Sequence, residues 1–172
     1  MLHLTDHPID TTRLIDQACS PAAGAVVVFL GITRQFTESR ESVLDDAAEW
    51  VQGIALADGA EVDRVENESL ENGTRRETVE LHYDAYREMA ELEIARLVTE
   101  ARRRWSLVEC LIVHRLGAVP LAEVSVAIVV SSAHRRAALN AGQWLIDTLK
   151  EHVPIWKKEC WADGQSAWVH PD

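Results

Sequence analysis

The sequence predicts an α+β fold, with a mixed, mostly antiparallel sheet and two long helices packed on it. Strand-like runs follow one another directly, as in LVECLIVHRLG and EVSVAIVVSSA, which the turn residues of GAVPLA join into an antiparallel pair. Two long segments, REMAELEIARLVTEARRRW and HRRAALNAGQWLIDTLKEH, repeat apolar residues at helical spacing, among them Met89, Leu92, Ile94 and Leu97 in the first. Strands that follow strands favour a sheet with helices on one face.

The other elements are shorter. TTRLIDQAC after Asp10 predicts a helix with an N-cap, and GAVVVFLGITR predicts a buried strand that closes on Gly31. ETVELHYDAY alternates as a strand before the first long helix. PIWKKECWA and SAWVH predict a terminal hairpin that turns at Asp163 and Gly164.

Acidity is concentrated in one segment. The chain has 172 residues and a net charge of -11, and residues 38–77 hold twelve Asp and Glu against four Arg. We therefore expect a single domain over residues 1–172 with an acidic loop insertion at about 38–77. A solvated excursion and a functional lid both fit a loop of this length. The negative charge as a whole argues against a nucleic-acid binder.

Several classes of protein are disfavoured. Cys19, Cys110 and Cys160 are widely spaced and form no C-x-x-C pair, so we expect neither a metal site nor a disulfide framework. The first ten residues, MLHLTDHPID, do not have the pattern of a secretory signal, and no apolar run approaches the ~20 residues that a bilayer span needs. The expected location is cytoplasmic.

Basic residues open the second long helix. His134 and Arg135 lie where free backbone N–H groups and the positive end of the helix dipole already favour an anion. Cations at a helix N-terminus interact unfavourably with the helix dipole, so their presence here calls for a further explanation. We therefore predict an anion-binding site at His134 and Arg135. Ion pairs with the acidic segment are the alternative explanation. Arg136 is expected to be an exposed neighbour.

Lys150 lies in the same helix, fifteen residues after Arg135 and so about 22 Å away. One small ligand cannot reach both within one chain. A homodimer whose pocket takes His134 and Arg135 from one subunit and Lys150 and Lys157 from the other would resolve this conflict. Taken alone, Lys150 is explained by the favourable position of a cation at a helix C-terminus.

Lys157 follows a rigid corner. Pro154 stops the helix, and a buried Trp156 ring would place the side chains of Ile155 and Lys157 on the opposite face of the strand. A lysine held near other cations and partly desolvated loses its proton more readily, which suits proton transfer or nucleophilic attack. Neither lysine predicts catalysis alone, but Lys150 and Lys157 together predict a catalytic site around Pro154.

Four further residues leave alternatives open. Arg34 follows a strand end beside a long loop, where ligand-binding residues and ordinary surface arginines are both common. Gly31 either starts a turn or lets the backbone approach a ligand. His82 and His114 sit in strand patterns and are expected to be partly buried, hydrogen-bonded histidines without a role.

Together these motifs resemble the MoaE family, the large, catalytic subunit of molybdopterin synthase. The resemblance rests on GAVVVFLGITR, LHYDAYREMA, HRLG, SSAHRRAALNAGQWLIDTLK and PIWKKE, and it covers nearly the whole chain except residues 38–77. It implies an α/β-hammerhead fold and a homodimer that binds one small ubiquitin-like, MoaD-like carrier subunit at each end, making a heterotetramer. The carrier's C-terminal Gly-Gly thiocarboxylate would enter the active site.

The activity implied by the resemblance is a sulfurtransferase of molybdenum cofactor biosynthesis. It transfers sulfur to cyclic pyranopterin monophosphate and forms the molybdopterin dithiolene, without a cofactor or a metal. By motif position, the catalytic residues fall on Lys150 and Lys157. The substrate-binding residues fall on Ile32, Thr33, Arg34, His134, Arg135, Lys150, Lys157, Lys158 and Glu159.

The chain departs from the family pattern in two places. The family's loop after the Arg is usually short, whereas here it runs to about forty residues, and WVHPD ends the chain without a basic residue. Two other functions therefore stay open. One is a non-catalytic, ferredoxin-like regulatory domain that binds a phosphorylated metabolite; the other is a degenerate synthase subunit that still binds its carrier.

Overall fold

The computed structural model describes residues 4–37 and 76–169. In chain order its elements are β1 (Leu4–Thr5), α1 (Thr11–Ala18), β2 (Ala25–Ile32), β3 (Phe36–Thr37), β4 (Arg76–Ala85), α2 (Arg87–Arg104), β5 (Leu107–Arg115), β6 (Gly117–Pro120), β7 (Val124–Ser132), α3 (Arg135–His152), β8 (Ile155–Trp161) and β9 (Ser166–Val169). The expected fold class is confirmed, although the strands form two sheets instead of one.

Two compact units divide the chain, residues 1–35 with 78–172 and residues 36–77. In the second unit the structure describes only the ends, where Phe36 and Thr37 pair antiparallel with Glu77 and Arg76. The predicted acidic insertion otherwise lies outside the described residues. The single domain and the insertion therefore stay predictions.

A four-stranded sheet lies at the centre of the larger unit, in the order β1-β5-β7-β2. The predicted antiparallel pair is confirmed, because β5 pairs antiparallel with β7, and β2 pairs antiparallel with the other edge of β7. β1 pairs parallel with β5 and was not predicted, since two residues carry too little pattern. The central strand β7 is buried along almost its whole length.

Helices cover both faces of this sheet, which corrects the expectation of a single helical face. α2 and α3 pack on the face that carries Ile112, Ile128 and Val130. The shorter helix α1 packs on the opposite face, where Leu14 and Ala18 contact a separate cluster that includes the alternate positions of β5 and β7. Strand alternation places these two sets of side chains on opposite sides. The N-cap of α1 is as predicted, because the Asp10 carboxylate accepts the Arg13 N–H at 3.0 Å.

A second sheet is built around β4. The predicted terminal hairpin is confirmed: β8 pairs with β4 and then with β9, and Gly164 adopts a φ of 81° in the turn between β8 and β9. β6 pairs with the other edge of β4. The sequence had predicted only a turn there, because four residues with a Gly and a Pro lack a strand pattern.

Two apolar residues of α2 do not lie in the core. The helical spacing predicted a buried stripe, and Ile94 and Leu97 are buried as expected, but Met89 and Leu92 are exposed. Met89 lies to the side of the stripe that faces the sheet, and Leu92 lies on the opposite side of the helix. Among the helices that the structure describes, none has the length and apolar character needed to cross a membrane.

His114 joins the two sheets. It lies in β5, is buried as predicted, and its Nδ1 donates a hydrogen bond to the carbonyl of Arg115 at 2.8 Å. Tyr83 of β4 meets its ring edge-on, with the centroids 4.8 Å apart. Burial lowers the pKa of His114 to about 4, so its ring is neutral at pH 7. His82, by contrast, is exposed, so the expectation that it would be partly buried is wrong.

We expect acid to destabilise the fold through His114. The unfolded chain binds a proton near the usual pKa of 6.5, whereas the folded chain resists protonation until about pH 4. The stability that the neutral ring contributes is therefore present above pH 6.5 and is lost as pH falls toward 4, by up to about 3 kcal/mol. His114→Asn, which keeps an N–H donor, should flatten the change in urea-unfolding free energy between pH 7.5 and 5. The exposed control His82→Asn should leave that slope unchanged, and equal slopes for both variants would contradict the assignment.

Candidate functional site

Three residues predicted to bind substrate, Ile32, Thr33 and Arg34, lie at the end of β2 or directly after it. The pairing of β2 with β7 shifts register between Gly31 and Ile32, where a Cβ on Gly31 would stand 2.6 Å from a methyl of Val126. Gly31 thus allows β2 and β7 to pack closely at a bulge. The two alternatives expected from the sequence were a turn and a close approach to a ligand. The bulge turns Ile32 outward, so its side chain is exposed at the rim of the sheet.

Thr33 anchors this segment. Its N–H donates to the carbonyl of Glu123 at 3.1 Å, and its carbonyl accepts the N–H of Ala122 at 2.9 Å. The Thr33 side chain is buried, whereas Arg34 beside it is exposed. Thr33 therefore places its neighbours through its backbone, while Arg34 presents its guanidinium to solvent.

The turn that holds Thr33 is itself fixed by Arg115. The Arg115 guanidinium forms an ion pair with Glu123 and donates to the carbonyl of Ala118 at 3.0 Å. No role was predicted for this pair from the sequence. Its only signal was the HRLG motif, because the seven residues between the two charges include β6, a strand of the other sheet.

His134 and Arg135 lie at the opposite end of β2. His134 is the extended N-cap residue of α3, Arg135 begins the helix, and both side chains are exposed. The first turn of α3 has no acidic residue. Next to it, the Gly24 N–H donates to the carbonyl of Ser132 at 3.0 Å, and a Cβ on Gly24 would stand 2.3 Å from the Ala133 carbonyl oxygen. The start of α3 is therefore locked against the start of β2. Arg136 is exposed, as predicted.

α3 runs back along β2 from this point. At its middle, Gly142 brings the helix against Val27, whose methyl would lie 3.2 Å from an added Cβ. Lys150 lies in the last turn and is exposed, about 12 Å further along the helix from Gly142. Ile32 lies about 16 Å beyond Val27 along the strand. Lys150 and residues 32–34 thus share one end of the layer, and His134 and Arg135 lie at the other.

The corner between α3 and β8, residues 150–159, is called the lysine corner here. Strand alternation in β8 places Ile155, Lys157 and Glu159 on one face, and Ile155 and Glu159 are buried. Lys157 lies on the face predicted for it. The expected burial of Trp156 is wrong, because its ring is on the exposed face and the buried Ile155 fixes the strand instead.

Lys157 is held by a carboxylate. Its Nζ lies 2.8 Å from Oε1 of Glu159, whose side chain is only 2% exposed, whereas that of Lys157 is 34% exposed. The other carboxylate oxygen, Oε2, has no hydrogen-bond partner among the described residues. The charged group that Lys157 contacts on its face of the strand is thus the carboxylate of Glu159. The sequence had predicted that other cations would surround this lysine. Lys158 is half-buried and points to the opposite face.

Tyr83 supports the lysine corner and was not singled out in the sequence. It lies directly opposite Lys157 in the pairing of β4 with β8, and its ring packs against His114. Alternation in LHYDAY puts Tyr83 and Leu81 on the same face, but only the register of the two strands places them opposite Lys157 and Glu159. Within residues 4–37 and 76–169, no cluster of His, Cys, Asp and Glu is arranged to hold a metal ion.

The chain is similar to a known family of proteins along most of its length. A family model described as MoaE protein matches residues 4–64 and 62–152. A catalytic subunit of molybdopterin synthase from Thermoplasma volcanium is 34% identical over 97% of this chain and 96% of its own length. The corresponding subunit from Bacillus subtilis is 32% identical over 96% of this chain and 82% of its own length.

Solved structures are also similar to this chain. The crystal structure of molybdopterin synthase from Staphylococcus aureus matches with a TM-score of 0.71 and 30% identity, over 98% of this chain and 96% of that chain. A complex of subunits 1 and 2 of molybdopterin-converting factor from Helicobacter pylori shares the fold, with a TM-score of 0.63 and 19% identity over 96% and 88% of the two chains.

These matches define a class of protein, the sulfur-transferring enzymes that make molybdopterin. The chain belongs to the MoaE family. The expected family, enzyme class and fold are confirmed, and the alternative of a ferredoxin-like regulatory domain is not supported.

We expect Lys157→Ala to destabilise the fold, because it leaves the buried Glu159 carboxylate without its cation. The free energy of unfolding in urea should fall by about 1–3 kcal/mol. Adding Glu159→Gln to that variant should recover part of the loss, since a neutral amide costs less to bury than a carboxylate. Lys158→Ala, on the opposite face of the strand, is the matched control and should cost much less. Equal losses for the two lysines would show that the ion pair does not stabilise the strand.

Proposed function

We propose that the lysine corner and the exposed end of β2 are where this chain transfers sulfur to cyclic pyranopterin monophosphate, forming the dithiolene of molybdopterin. One observation carries the proposal: Lys150 and Arg34 are exposed at the same end of the layer, next to a strand on which Glu159 fixes Lys157. Several cations there suit a substrate that carries a cyclic phosphate. The family to which the chain belongs names the activity.

In this proposal the catalytic residues are Lys150 and Lys157. Lys150 is free to reach the substrate, and Lys157 is aimed by its strand and its ion pair. Both would stabilise the negative charge that develops on oxygen as the thiocarboxylate sulfur attacks a substrate carbon and the C–O bond there breaks. Water would then cleave the resulting thioester, which leaves the sulfur on the pterin and releases the carrier with a C-terminal carboxylate. Ile32, Thr33, Arg34, Lys158 and Glu159 would shape the pocket, Thr33 through its backbone and Glu159 through Lys157.

The sulfur would come from a partner. The resemblance names a small ubiquitin-like carrier with a C-terminal Gly-Gly thiocarboxylate, and the Helicobacter pylori complex contains two different subunits. One of the chain's own cysteines, Cys110, is poorly suited to this task. Cys110 is buried, which raises the pKa of its thiol to about 11, so it is not a thiolate at neutral pH. A delivered thiocarboxylate needs no catalytic cysteine.

The anion site is completed by a second subunit in this proposal. His134 and Arg135 lie about 22 Å from Lys150 along α3, too far for one pterin to contact both ends. A homodimer with a carrier at each end, the heterotetramer implied by the resemblance, would place His134 and Arg135 of one subunit beside Lys150 and Lys157 of the other.

We expect Lys150→Ala to abolish dithiolene formation while leaving the fold and the dimer intact, because an exposed charge is removed and no packing is lost. The measurement is product formed from a thiocarboxylated carrier and the cyclic pterin. Arg136→Ala, an exposed cation of the same helix, is the control and should keep its activity. Near-normal turnover by folded Lys150→Ala protein would overturn the catalytic assignment.

Mixing Arg135→Ala, which should bind the substrate weakly, with the inactive Lys150→Ala tests whether the pocket is shared. An Arg135→Ala subunit paired with a Lys150→Ala subunit has one pocket with both residues intact and one with neither. Equal mixing with free exchange should therefore restore about a quarter of the wild-type activity. If mixtures with demonstrated subunit exchange stay inactive, the pocket lies within one chain.

A further inference from the structure

The backbone is held on both sides of Arg34. Before it, Thr33 exchanges two backbone hydrogen bonds with residues 120–123, which connect β6 to β7 and are called the β6–β7 turn here. After it, the carbonyl of Gln35 accepts the N–H of Thr78 at 2.7 Å. The root of the Arg34 side chain is therefore fixed on the body of the fold, while the side chain itself is exposed.

The β6–β7 turn adopts a conformation that its own sequence does not favour. Ala122 has a φ of 63°, in the left-handed region that glycine occupies easily and that a Cβ makes unfavourable. In this conformation its N–H donates to the carbonyl of Thr33 at 2.9 Å. Strain of this kind persists only where surrounding contacts offset it, and it is common at functional sites. The groups that hold the turn therefore also hold Thr33.

Arg115, at the end of β5, supplies two of these contacts. Its guanidinium pairs with the carboxylate of Glu123 after the turn and donates to the carbonyl of Ala118 before it. The planar fork of a guanidinium holds two acceptors in a fixed relation. Only 11% of the Arg115 side chain is exposed, so it acts from inside the fold. A nearly buried cation thus joins the two ends of the connection between β6 and β7.

We propose that Arg115 is a positioning residue for substrate binding, which acts through the β6–β7 turn and Thr33 on Arg34. The inference rests on the proposed function, which places Arg34 in the pocket. The two contacts of Arg115 are made to the turn, so it holds Arg34 without touching the substrate. Without Arg115, the guanidinium of Arg34 would keep its charge but lose its fixed root. Binding the substrate would then have to order this segment, at a cost in conformational entropy.

The effect should fall on substrate binding and not on the chemical step. The proposed catalytic residues, Lys150 and Lys157, belong to α3 and β8, and Lys157 is held by Glu159 on its own strand. Arg34 contributes one of several cations to the anion site. Loss of its position should therefore raise KM and leave kcat close to the wild-type value.

Hydrogen exchange measured by NMR tests the hold on Thr33 without substrate. In Arg115→Met, which removes the donors and keeps much of the side-chain length, the Thr33 amide should exchange about tenfold faster than in the wild type, relative to the amide of Val129 in the core strand β7. This ratio removes any change in global stability. Arg96→Met, which breaks an exposed ion pair with Glu93 on α2, is the control and should leave the ratio unchanged.

Kinetic measurements test whether Arg115 acts through Arg34. With a thiocarboxylated carrier and the cyclic pterin, Arg115→Met should raise KM about tenfold and change kcat by less than about twofold. Arg34→Ala should raise KM at least as much. The double variant should match Arg34→Ala alone, because no guanidinium is left to position. Arg115→Lys, which keeps a charge beside Glu123, should recover part of the KM, and Arg96→Met should keep both constants.

Additive increases in KM would overturn the positioning role, since the loss of Arg115 would then act apart from Arg34. An unchanged exchange ratio at Thr33, or a fall in kcat as large as the rise in KM, would overturn it as well. If Arg115→Met fails to fold, Arg115→Lys replaces it in both experiments and decides, with smaller changes in the same direction.

Failure of the proposed function has a different signature. A wild-type chain that transfers no sulfur would overturn that function, and the same four variants would then be compared by the Kd of the cyclic pterin without a carrier. Non-additive losses of affinity for Arg34→Ala and Arg115→Met would leave the positioning role standing, whereas additive losses or no binding would overturn it. An active chain with additive effects would overturn only the role of Arg115.

Discussion

The packing of α3 against β2 and β7 fixes the positions of the two cations that lie at its ends, Arg135 and Lys150. Small residues make the close approach possible, because Ala138, Ala141 and Gly142 are buried on the side that faces the sheet. At Gly142 even a methyl group would press on Val27. The helix therefore cannot slide along the strand without losing this fit. Arg135 and Lys150 stay at opposite ends as a result.

A second set of contacts holds the lysine corner to the same core. Tyr83 and His114 connect the sheet of β4 with the sheet of β5, and Tyr83 lies opposite Lys157. The ion pair between Lys157 and Glu159 then ties the lysine to a buried group on its own strand. The corner combines a lysine held in place by an ion pair with an exposed one, Lys150. Such a division suits a reaction in which one cation positions the substrate and another follows the developing charge.

Sequence patterns predicted the elements well where periodicity was long. α2, α3, β2, β5 and β7 all stand where apolar spacing placed them. The patterns failed where a position depends on a neighbour remote in sequence. Only the packed structure decides whether an apolar residue is buried against another element. Within the described residues, three apolar side chains that the patterns predicted to be buried are exposed: Met89, Leu92 and Trp156. β1 and β6 were missed because strands of two and four residues gain their pairing from existing strands.

The sequence by itself determined the longer elements, their order, the family and the identities of the candidate site residues, because these depend on local spacing and on collinear motifs. It also determined the distance between Arg135 and Lys150, since the rise of an α-helix is constant. Only the tertiary structure decided that residues 32–34 share an end with Lys150, that Glu159 is the buried partner of Lys157, and that α1 covers the face opposite α2 and α3. These facts depend on strand register and on the direction in which α3 crosses the sheet, and both are set by side chains that meet only when the chain is folded.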